Sequence, residues 1–284
     1  MNAINYNSAS DLRAFLDSEG LGMRKKFGQN FLINPAVRQA LADALGAGDG
    51  DCVWEIGPGL GAMTAILLER GLSVRAFEID PGFIRALKEI FGKEERFTLV
   101  EGDVMKTWRA QELAPFLLGN LPYNVGASLL ADLTERGRVF TRMVVTVQKE
   151  VALRMAASAG TRDYSSFSVL CASAYNVKPL MLIRPSSFYP RPNVDSMGVL
   201  LESRPPVSYP AVFYPLVRSL FSCRRKTVKN NMTAFLSSRF AKPQAAQICA
   251  AVLAENSLSG SERAENIGPD GFLSLAKSIE NVRL

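Results

Sequence analysis

Three glycines between a predicted strand and a predicted helix constrain the fold of this chain more than any other feature. Residues 51–56 are predicted to form a buried strand, residues 55–61 have the sequence EIGPGLG, and an apolar helix follows to about residue 70. Glycines in such a turn let the backbone approach a ligand closely and keep the strand tightly packed against the helix. The pattern is typical of the first unit of an open α/β sheet, although a tight turn without a ligand can have the same sequence.

An acidic residue at the end of the next predicted strand indicates what this turn binds. Glu78 follows Gly57 by 21 residues (78 − 57) and closes a strand predicted over residues 73–79. At about this spacing a carboxylate accepts hydrogen bonds from the hydroxyls of a ribose. A nicotinamide dinucleotide enzyme would more usually have a glycine at position 62, where this chain has Ala62. The carboxylate of Glu55 is unfavourable beside a pyrophosphate and acceptable beside a cationic ligand.

Alternating strands and helices predict the fold class. After the first two strands, further strands are predicted over residues 97–100, 115–119, 142–148, 177–183 and 197–201. Predicted helices lie between most of these strands. The alternation favours an α/β fold with a parallel, doubly wound sheet.

Composition divides the chain into three parts. Residues 1–23 show weak periodicity and are predicted to be an N-terminal extension with one short helix. Residues 24–204 are predicted to hold the α/β domain. A linker marked by Pro205 and Pro206 leads into residues 205–284, for which only helices are predicted.

Most of the net charge lies in this last part of the chain. The whole chain carries +6, and residues 205–284 hold ten Lys and Arg against five Asp and Glu, which is +5. A nearly neutral body with a basic tail predicts a polyanionic partner, although a basic protein without such a partner has the same composition. Arg224, Arg225 and Lys226 form a run that is either a solvated helix face or a binding site for phosphates.

The composition also excludes several kinds of chemistry. The chain has no histidine, which rules out Ser-His-Asp and Cys-His catalysis and any histidine-ligated metal, and no metal is expected. None of the four cysteines forms a C-x-x-C pair, so reduced thiols are expected. No stretch approaches the ~20 apolar residues that span a bilayer, and the start lacks the apolar core of a secretory signal. A soluble, cytoplasmic protein is therefore expected.

The tetrapeptide at residues 120–123, NLPY, follows the fourth predicted strand. Pro122 removes one backbone N–H and favours an extended Leu121, whose carbonyl is then available to a ligand. The amide oxygen of Asn120 is a second acceptor, and Tyr123 offers a flat ring. Two acceptors and a ring suit a planar amine such as the exocyclic amine of a nucleobase. The alternative is a tight strand-to-helix turn with a core tyrosine.

Polar groups follow successive predicted strands and so share one edge of the sheet. They are Glu55, Gly57, Glu78, Asp103 and Asn120. A carboxylate after the third strand can accept from an adenine amine, as the one after the second can accept from a ribose. The set outlines a site for a cofactor with an adenine, a ribose and a positive centre. S-adenosylmethionine fits that description better than NAD.

Six motifs occur in a fixed order along the chain: FGQNFL at 27–32, EIGPGLG at 55–61, GNLPY at 119–123, SFYPRPNVDS at 187–196, FSCRRKT at 221–227 and RAEN at 263–266. Together they resemble the ribosomal RNA adenine dimethyltransferase family, and within it most closely the bacterial small-subunit (16S) enzymes. The resemblance runs from about Lys25 to the end, and residues 1–23 have no counterpart. It implies a Rossmann-like methyltransferase sheet with a smaller, all-helical, RNA-binding C-terminal domain.

The resemblance also implies an activity and the residues that perform it. The activity is the transfer of methyl groups from S-adenosyl-L-methionine to the exocyclic amines of two adjacent adenosines in a 16S rRNA loop. The implied cofactor residues are Asn30, Leu32, Gly57, Glu78, Asp103 and Asn120. The transfer step is assigned to Asn120, Leu121, Pro122 and Tyr123. Substrate contacts are assigned to Tyr123, Phe188, Arg224, Arg225 and Lys226, with a core aromatic as the alternative for Phe188.

The implied partner is 16S rRNA within the small ribosomal subunit or its precursor, bound by a monomer without a membrane. Three alternatives stay open at the level of sequence. They are a 23S rRNA adenine methyltransferase of the antibiotic-resistance type, a non-catalytic ribosome-assembly factor that binds RNA, and, more distantly, an NAD oxidoreductase. Intact residues 120–123 and Glu78 argue against a loss of activity.

Overall fold

A computed structural model describes residues 4–21, 30–121 and 126–282, and the description below is confined to these residues. They divide into two compact units. The first unit runs to Ala152 and also includes Val177–Ser203. The second unit consists of Leu153–Asn176 and the residues from Arg204 onwards.

The first unit is built on a seven-stranded sheet. In chain order its strands in the described residues are β2 Cys52–Ile56, β3 Ser73–Glu78, β4 Phe97–Glu101, β5 Phe116–Asn120, β6 Arg142–Gln148, β7 Tyr175–Ile183 and β9 Ser196–Ser203. Their spatial order is β4-β3-β2-β5-β6-β9-β7. A separate two-stranded antiparallel sheet pairs β1, Phe31–Leu32, with β8, Phe188–Tyr189.

The predicted doubly wound α/β class is confirmed. The strands β4, β3, β2, β5 and β6 pair in parallel. The strand β9 departs from the parallel pattern and runs antiparallel to β6. Between β7 and β9 the chain forms only a 3-10 turn, Pro185–Ser187, and β8. The strand order reverses between β2 and β5, because β3 and β4 extend the sheet on one side and β5 and β6 on the other.

Helices connect the strands of the first unit, and their starts follow local sequence signals. They are α2 Pro35–Leu45, α3 Ala62–Glu69, α4 Pro81–Phe91, α5 Val104–Thr107, α6 Gly126–Glu135 and α7 Lys149–Ala156. The side chain of Asn34 accepts a hydrogen bond of 3.2 Å from the backbone of Val37 and so caps α2. Asp80 caps α4 in the same way, through a bond of 2.8 Å from Gly82.

The second unit is helical, which confirms the helices predicted beyond the linker. Its helices are α8 Ser166–Ala174, α9 Phe213–Phe221, α10 Val228–Ser237, α11 Lys242–Glu255 and α12 Pro269–Asn281. The sequence boundary at residue 204 assigns residues 153–176 to the α/β domain, whereas the structure groups them with this unit. The physical reason is that Tyr164 and Val169 share one buried core with Phe213 and Phe272.

The described N-terminal residues, 4–21, are here called the N-terminal arm. The arm contains α1, Ala9–Ser18, which begins at the N-cap Ser8. Leu12 and Leu16 of this helix are buried in a cluster with Phe83. The arm is therefore an ordered part of the first unit, and the weak apolar periodicity of its sequence corresponds to these two leucines.

Candidate active site at the edge of the sheet

The carboxyl ends of four neighbouring strands bring together residues that the sequence predicts for the cofactor. From β4 to β5 these are Asp103, Glu78, Gly57 and Asn120. A β-carbon built on Gly57 would lie 4.0 Å from the carbonyl oxygen of Asn120, so the turn after β2 approaches the end of β5 closely. This edge is the point where the strand order reverses, and open α/β sheets bind their ligands at such a point.

The glycine turn has a backbone that requires glycine. Gly57, Gly59 and Gly61 have φ angles of 69°, 60° and 86°, which side chains other than hydrogen rarely allow. A β-carbon on Gly59 would also lie 3.0 Å from Cε1 of Phe31 in β1. The amide of Gly57 donates a hydrogen bond of 3.0 Å to the carbonyl oxygen of Phe77, which ties the turn to the end of β3.

Glu78 is the buried carboxylate of this edge, with 6% of its surface exposed. Its Oε1 accepts hydrogen bonds of 2.8 Å from the backbone of Ile79 and of Asp80, and its Oε2 accepts one of 3.3 Å from Gly59. Burial raises the pKa of Glu78 to about 7 against the effect of these three donors. A carboxylate has about four acceptor sites. Three of these sites are occupied, so one is left for a ribose hydroxyl. The bond from Gly59 is the longest of the three, so a second ribose hydroxyl would displace that bond first.

Glu55 lies beneath the turn and does not face an open surface. It is 2% exposed, and its Oε2 accepts a hydrogen bond of 2.6 Å from the hydroxyl of Thr64 in α3. Burial raises its pKa to about 7, the Thr64 bond opposes that rise, and the nearby charge of Glu78 adds to it. Glu55 therefore links β2 to α3 through a hydrogen bond. The sequence predicts a different position for it, beside a cationic ligand.

Asp103 and Ile79 complete the β3–β4 side of the edge. Asp103 is half-buried, and its Oδ1 caps α5 by accepting a hydrogen bond of 3.0 Å from the backbone of Met105. Ile79 follows Glu78 and is 41% exposed. Ile79 is not among the site residues predicted from the sequence, although an apolar residue directly after a carboxylate at a predicted strand end is a signal that could have identified it. Together they offer a polar and an apolar contact to a planar ring.

Asn120 is held at the end of β5 by a residue far away in the sequence. Its Nδ2 donates a hydrogen bond of 2.8 Å to the carbonyl oxygen of Asn30. The backbone amide of Leu121 donates a bond of 3.1 Å to Thr146 in β6, and the Leu121 side chain is buried. The predicted residues Asn30, Asn120 and Leu121 are therefore brought together. Pro122 and Tyr123 lie outside the described residues, so their assignments stay predictions.

Phe188 is a core residue in the structure, which agrees with the alternative weighed for it and not with stacking on a substrate base. It is 2% exposed and pairs in register with Leu32 across the β1–β8 sheet. Leu32 is buried as well, and its carbonyl oxygen accepts a hydrogen bond of 2.7 Å from Arg38. Both side chains belong to one buried core cluster, so neither has an exposed face to offer a ligand.

The basic run lies in the second unit between α9 and α10, and its members differ. Arg224 forms an ion pair of 2.9 Å with Glu265 and donates a hydrogen bond of 3.2 Å to the carbonyl oxygen of Arg162. Arg225 and Lys226 are exposed, and no ion pair joins either of them to another described residue. Arg224 thus has a structural role in this unit, whereas Arg225 and Lys226 present their charges to the solvent.

Two residues near the turn were missed by the analysis of the sequence. The hydroxyl of Tyr6 donates a hydrogen bond of 2.9 Å to the carbonyl oxygen of Leu60. Arg38 is 5% exposed and lies on the face of α2 that also buries Leu41 and Leu45. An arginine on the buried face of an amphipathic helix is a signal that could have identified it, whereas nothing in the polar sequence around Tyr6 does so.

The described residues offer neither a metal site nor a membrane-spanning helix. No group of three or more cysteine, aspartate and glutamate side chains there could hold a metal ion. Within residues 4–21, 30–121 and 126–282, no helix is both long and apolar enough to cross a bilayer.

Comparison of the sequence with known families and proteins identifies close relatives. A family model described as "Ribosomal RNA adenine dimethylase" matches residues 20–265. A protein of Treponema denticola named "Ribosomal RNA small subunit methyltransferase A" is 42% identical over 289 residues, which cover 97% of this chain and 96% of that protein. A protein of the same name from Borreliella burgdorferi is 36% identical over 280 residues, which cover 97% of this chain and 95% of that one.

Comparison of the fold with solved structures gives a consistent result. A dimethyladenosine transferase from Plasmodium falciparum is similar with a TM-score of 0.75 and 25% identity, over 87% of this chain and 96% of that one. The 23S rRNA methyltransferase ErmE is similar with a TM-score of 0.62 and 20% identity, over 88% of this chain and 99% of that one. At this identity the second similarity supports the fold alone.

Proposed function

Because the chain belongs to the ribosomal RNA adenine dimethylase family, we propose that it methylates the exocyclic amines of two adjacent adenosines in a 16S rRNA loop. The family match and the similar proteins confirm three predictions made from the sequence: the family, the enzyme class and the cofactor S-adenosyl-L-methionine. The particular nucleotides and the residues that act on them are the proposal.

The observation that carries this proposal is the convergence of four residues at the reversal of the strand order. Asp103, Glu78, Gly57 and Asn120 follow neighbouring parallel strands and line one edge of the sheet. The two carboxylates would accept from ribose hydroxyls and from an adenine amine. Gly57 lies in a turn that allows close approach, and Asn120 supplies an amide for the target amine. These groups suit a nucleoside cofactor and an acceptor amine side by side.

The residues present fit an adenosyl cofactor. Glu78 keeps an acceptor site that would take a ribose hydroxyl, the exposed Ile79 would contact the adenine ring, and Asp103 would accept from the adenine amine. Asn30, whose carbonyl oxygen accepts a hydrogen bond from Asn120 at the end of β5, would hold the methionine part. When bound, S-adenosylmethionine supplies an electrophilic methyl group on a sulfonium centre.

Asn120 and Leu121 prepare the adenine amine for attack. The lone pair of that amine is delocalised into the ring, so the amine is a poor nucleophile. Acceptance of its hydrogens by Asn120 Oδ1 and by the Leu121 carbonyl oxygen localises the lone pair on nitrogen. As the bond from nitrogen to the methyl carbon formed, the bond from that carbon to the sulfonium sulfur would break and leave its electron pair on sulfur as a neutral thioether. The nitrogen would become cationic and pass its extra proton to water, so no strong base is needed. That requirement agrees with a chain that contains no histidine.

The RNA partner and its context complete the proposal. The second unit binds the RNA backbone through exposed cations such as Arg225 and Lys226, since it holds most of the net charge. Tyr123 stacks on the target base once that base leaves its loop. The substrate is 16S rRNA within the small ribosomal subunit or its precursor, and the enzyme acts on it as a monomer in the cytoplasm.

The test is to incubate the protein with S-adenosylmethionine labelled in its methyl group and unmodified small subunits, and then to locate the label. Label on two adjacent adenosines of 16S rRNA is the expected result. Label that enters only 23S rRNA, when large subunits are supplied, would contradict the proposed substrate. RNA binding without any transfer to either subunit would favour the assembly factor instead.

A further inference from the structure

The glycine turn is held from its outer side by the N-terminal arm. The hydroxyl of Tyr6 donates its hydrogen bond of 2.9 Å to Leu60, which lies between two glycines of the turn. Burial raises the pKa of Tyr6 to about 12, and the charge of Glu55 adds to that rise. The phenol is therefore a neutral hydrogen-bond donor at neutral pH.

The same turn residue is also buried by the arm. The side chain of Leu60 is 1% exposed and belongs to one apolar cluster with Leu12 and Leu16 of α1 and Phe83 of α4. One residue of the turn thus has its carbonyl oxygen bound by the arm and its side chain covered by the arm. On the opposite side, Gly59 donates to the carboxylate of Glu78, the residue proposed to bind the ribose.

Arg38 fastens the arm to the rest of the site. Its Nη1 donates hydrogen bonds of 2.9 Å to the carbonyl oxygen of Tyr6 and 2.7 Å to that of Leu32, and its Nη2 donates to the side chain of Asn7. Its Nε is buried without a hydrogen-bond partner among the described residues. Burial of a charged guanidinium costs free energy unless its N–H groups are hydrogen-bonded. The bonded N–H groups of Arg38 bind the arm and β1, so they hold these two segments together.

We propose that the N-terminal arm is part of the cofactor site, with Tyr6 as a positioning residue that holds the glycine turn in the conformation that binds S-adenosylmethionine. The inference rests on the proposed function, since it concerns the same cofactor. The family match begins at residue 20, after most of the arm. The hydrogen bonds of the arm to the rest of the unit join Leu60 and Arg38, neither of which is assigned to the transfer step, so the arm acts on cofactor affinity and not on that step.

The experiment compares two tyrosines that make the same bond in different units. Tyr6→Phe removes only the hydroxyl that bonds Leu60. Tyr164→Phe is the matched control, because the hydroxyl of Tyr164 donates a bond of 2.9 Å to the carbonyl oxygen of Ile267; Tyr164 is buried, whereas Tyr6 is half-buried. Loss of one such bond corresponds to roughly a three- to tenfold change in an equilibrium constant.

Calorimetry on the full-length chain should show that Tyr6→Phe weakens S-adenosylmethionine binding by about three- to tenfold. The same variant should raise KM for the cofactor and leave kcat and KM for RNA unchanged. Tyr164→Phe should bind the cofactor with the wild-type Kd even if its melting temperature falls. A purely structural role would lower the melting temperature of both variants and shift neither Kd.

Linkage supplies a second readout that needs no variant. If the arm stabilises the bound cofactor, the cofactor must stabilise the docked arm to the same extent. Amide hydrogen exchange in α1, Ala9–Ser18, should therefore slow when S-adenosylmethionine is added to the wild-type protein.

The outcomes separate this inference from the proposed function. A wild-type Kd in Tyr6→Phe together with unchanged exchange in α1 overturns the inference and leaves the proposed function standing. A wild-type protein that does not bind S-adenosylmethionine at all contradicts the proposed function first.

Discussion

The side-chain Nδ2 of Asn120 donates a hydrogen bond of 2.8 Å to the carbonyl oxygen of Asn30, a residue 90 positions earlier in the chain. A carbonyl oxygen only accepts hydrogen bonds, so the amide of Asn120 must turn its nitrogen towards Asn30. Its oxygen is then the end that is left to accept a hydrogen bond from a ligand. The contact fixes the acceptor before any substrate arrives, which is what a positioned catalytic amide requires.

Replacement of Asn120 by alanine should slow methyl transfer while the fold and the RNA affinity stay largely intact. Removal of one preorganised hydrogen-bonding group in an active site costs on the order of a hundredfold or more in rate. The measurement is single-turnover transfer at saturating cofactor. Asn256→Ala serves as the control, because Asn256 makes a similar bond of 2.8 Å from Nδ2 to the carbonyl oxygen of Val252. Transfer by Asn120→Ala at the wild-type rate would refute the assignment of residues 120–123.

Loss of the Glu78 carboxylate should weaken cofactor binding without a comparable effect on RNA binding. Glu78→Ala removes the proposed acceptor for the ribose, and a hydrogen bond to a charged group is worth roughly 1.5–3 kcal/mol. Glu101→Ala is the matched control, since Glu101 pairs in register with Glu78 but is exposed and bound to Lys88 at 2.6 Å. Calorimetry that finds equal cofactor affinity in both variants would exclude Glu78 as the ribose ligand.

The buried Glu55 should make the stability of the protein fall as the pH rises. Burial raises its folded-state pKa from 4.5 to about 7. The folded protein therefore binds more protons than the unfolded chain between pH 4.5 and about 7, and stability decreases across that window and levels off above it. Glu55→Gln removes this titration and keeps an acceptor for the hydroxyl of Thr64.

Urea unfolding of both proteins from pH 5 to pH 8 measures this effect. The free energy of unfolding of Glu55→Gln should increase relative to that of the wild type as the pH rises. Two curves that stay parallel over the whole range would show that Glu55 titrates at its ordinary pKa.

Charge reversal of Arg225 and Lys226 should weaken RNA binding and flatten its dependence on salt. If each contacts one phosphate, the slope of log K against log salt should fall in magnitude by about 1.5. Arg224 is left in place, because its pairing with Glu265 would confuse a loss of contact with a loss of structure. Cofactor affinity should not change.

A second double reversal, at Lys242 and Lys277, controls for net charge in the same unit. Both residues are exposed and lie on other helices, α11 and α12. An equal loss of RNA affinity in both double variants would indicate that overall charge, and not the basic run, attracts the RNA.

Local signals in the sequence determined most of the architecture. The cap at Asn34 set the start of α2, and the glycines of residues 57–61 set the turn, because capping and positive φ angles depend on a few neighbouring residues. The alternation of strands and helices determined the doubly wound sheet. The spacing of Gly57 and Glu78 placed both at one edge, since parallel strands all end on the same side.

Tertiary structure alone decided which of the predicted side chains are open to a ligand. The sequence could not show that Glu55 and Phe188 are buried instead of open to a ligand, because burial depends on contacts with residues far away in the chain. The anchoring of Asn120 by Asn30, the ion pair of Arg224 with Glu265 and the bond from Tyr6 to Leu60 link residues 90, 41 and 54 positions apart. No local periodicity encodes such pairs, which form only when folding brings distant parts of each unit together.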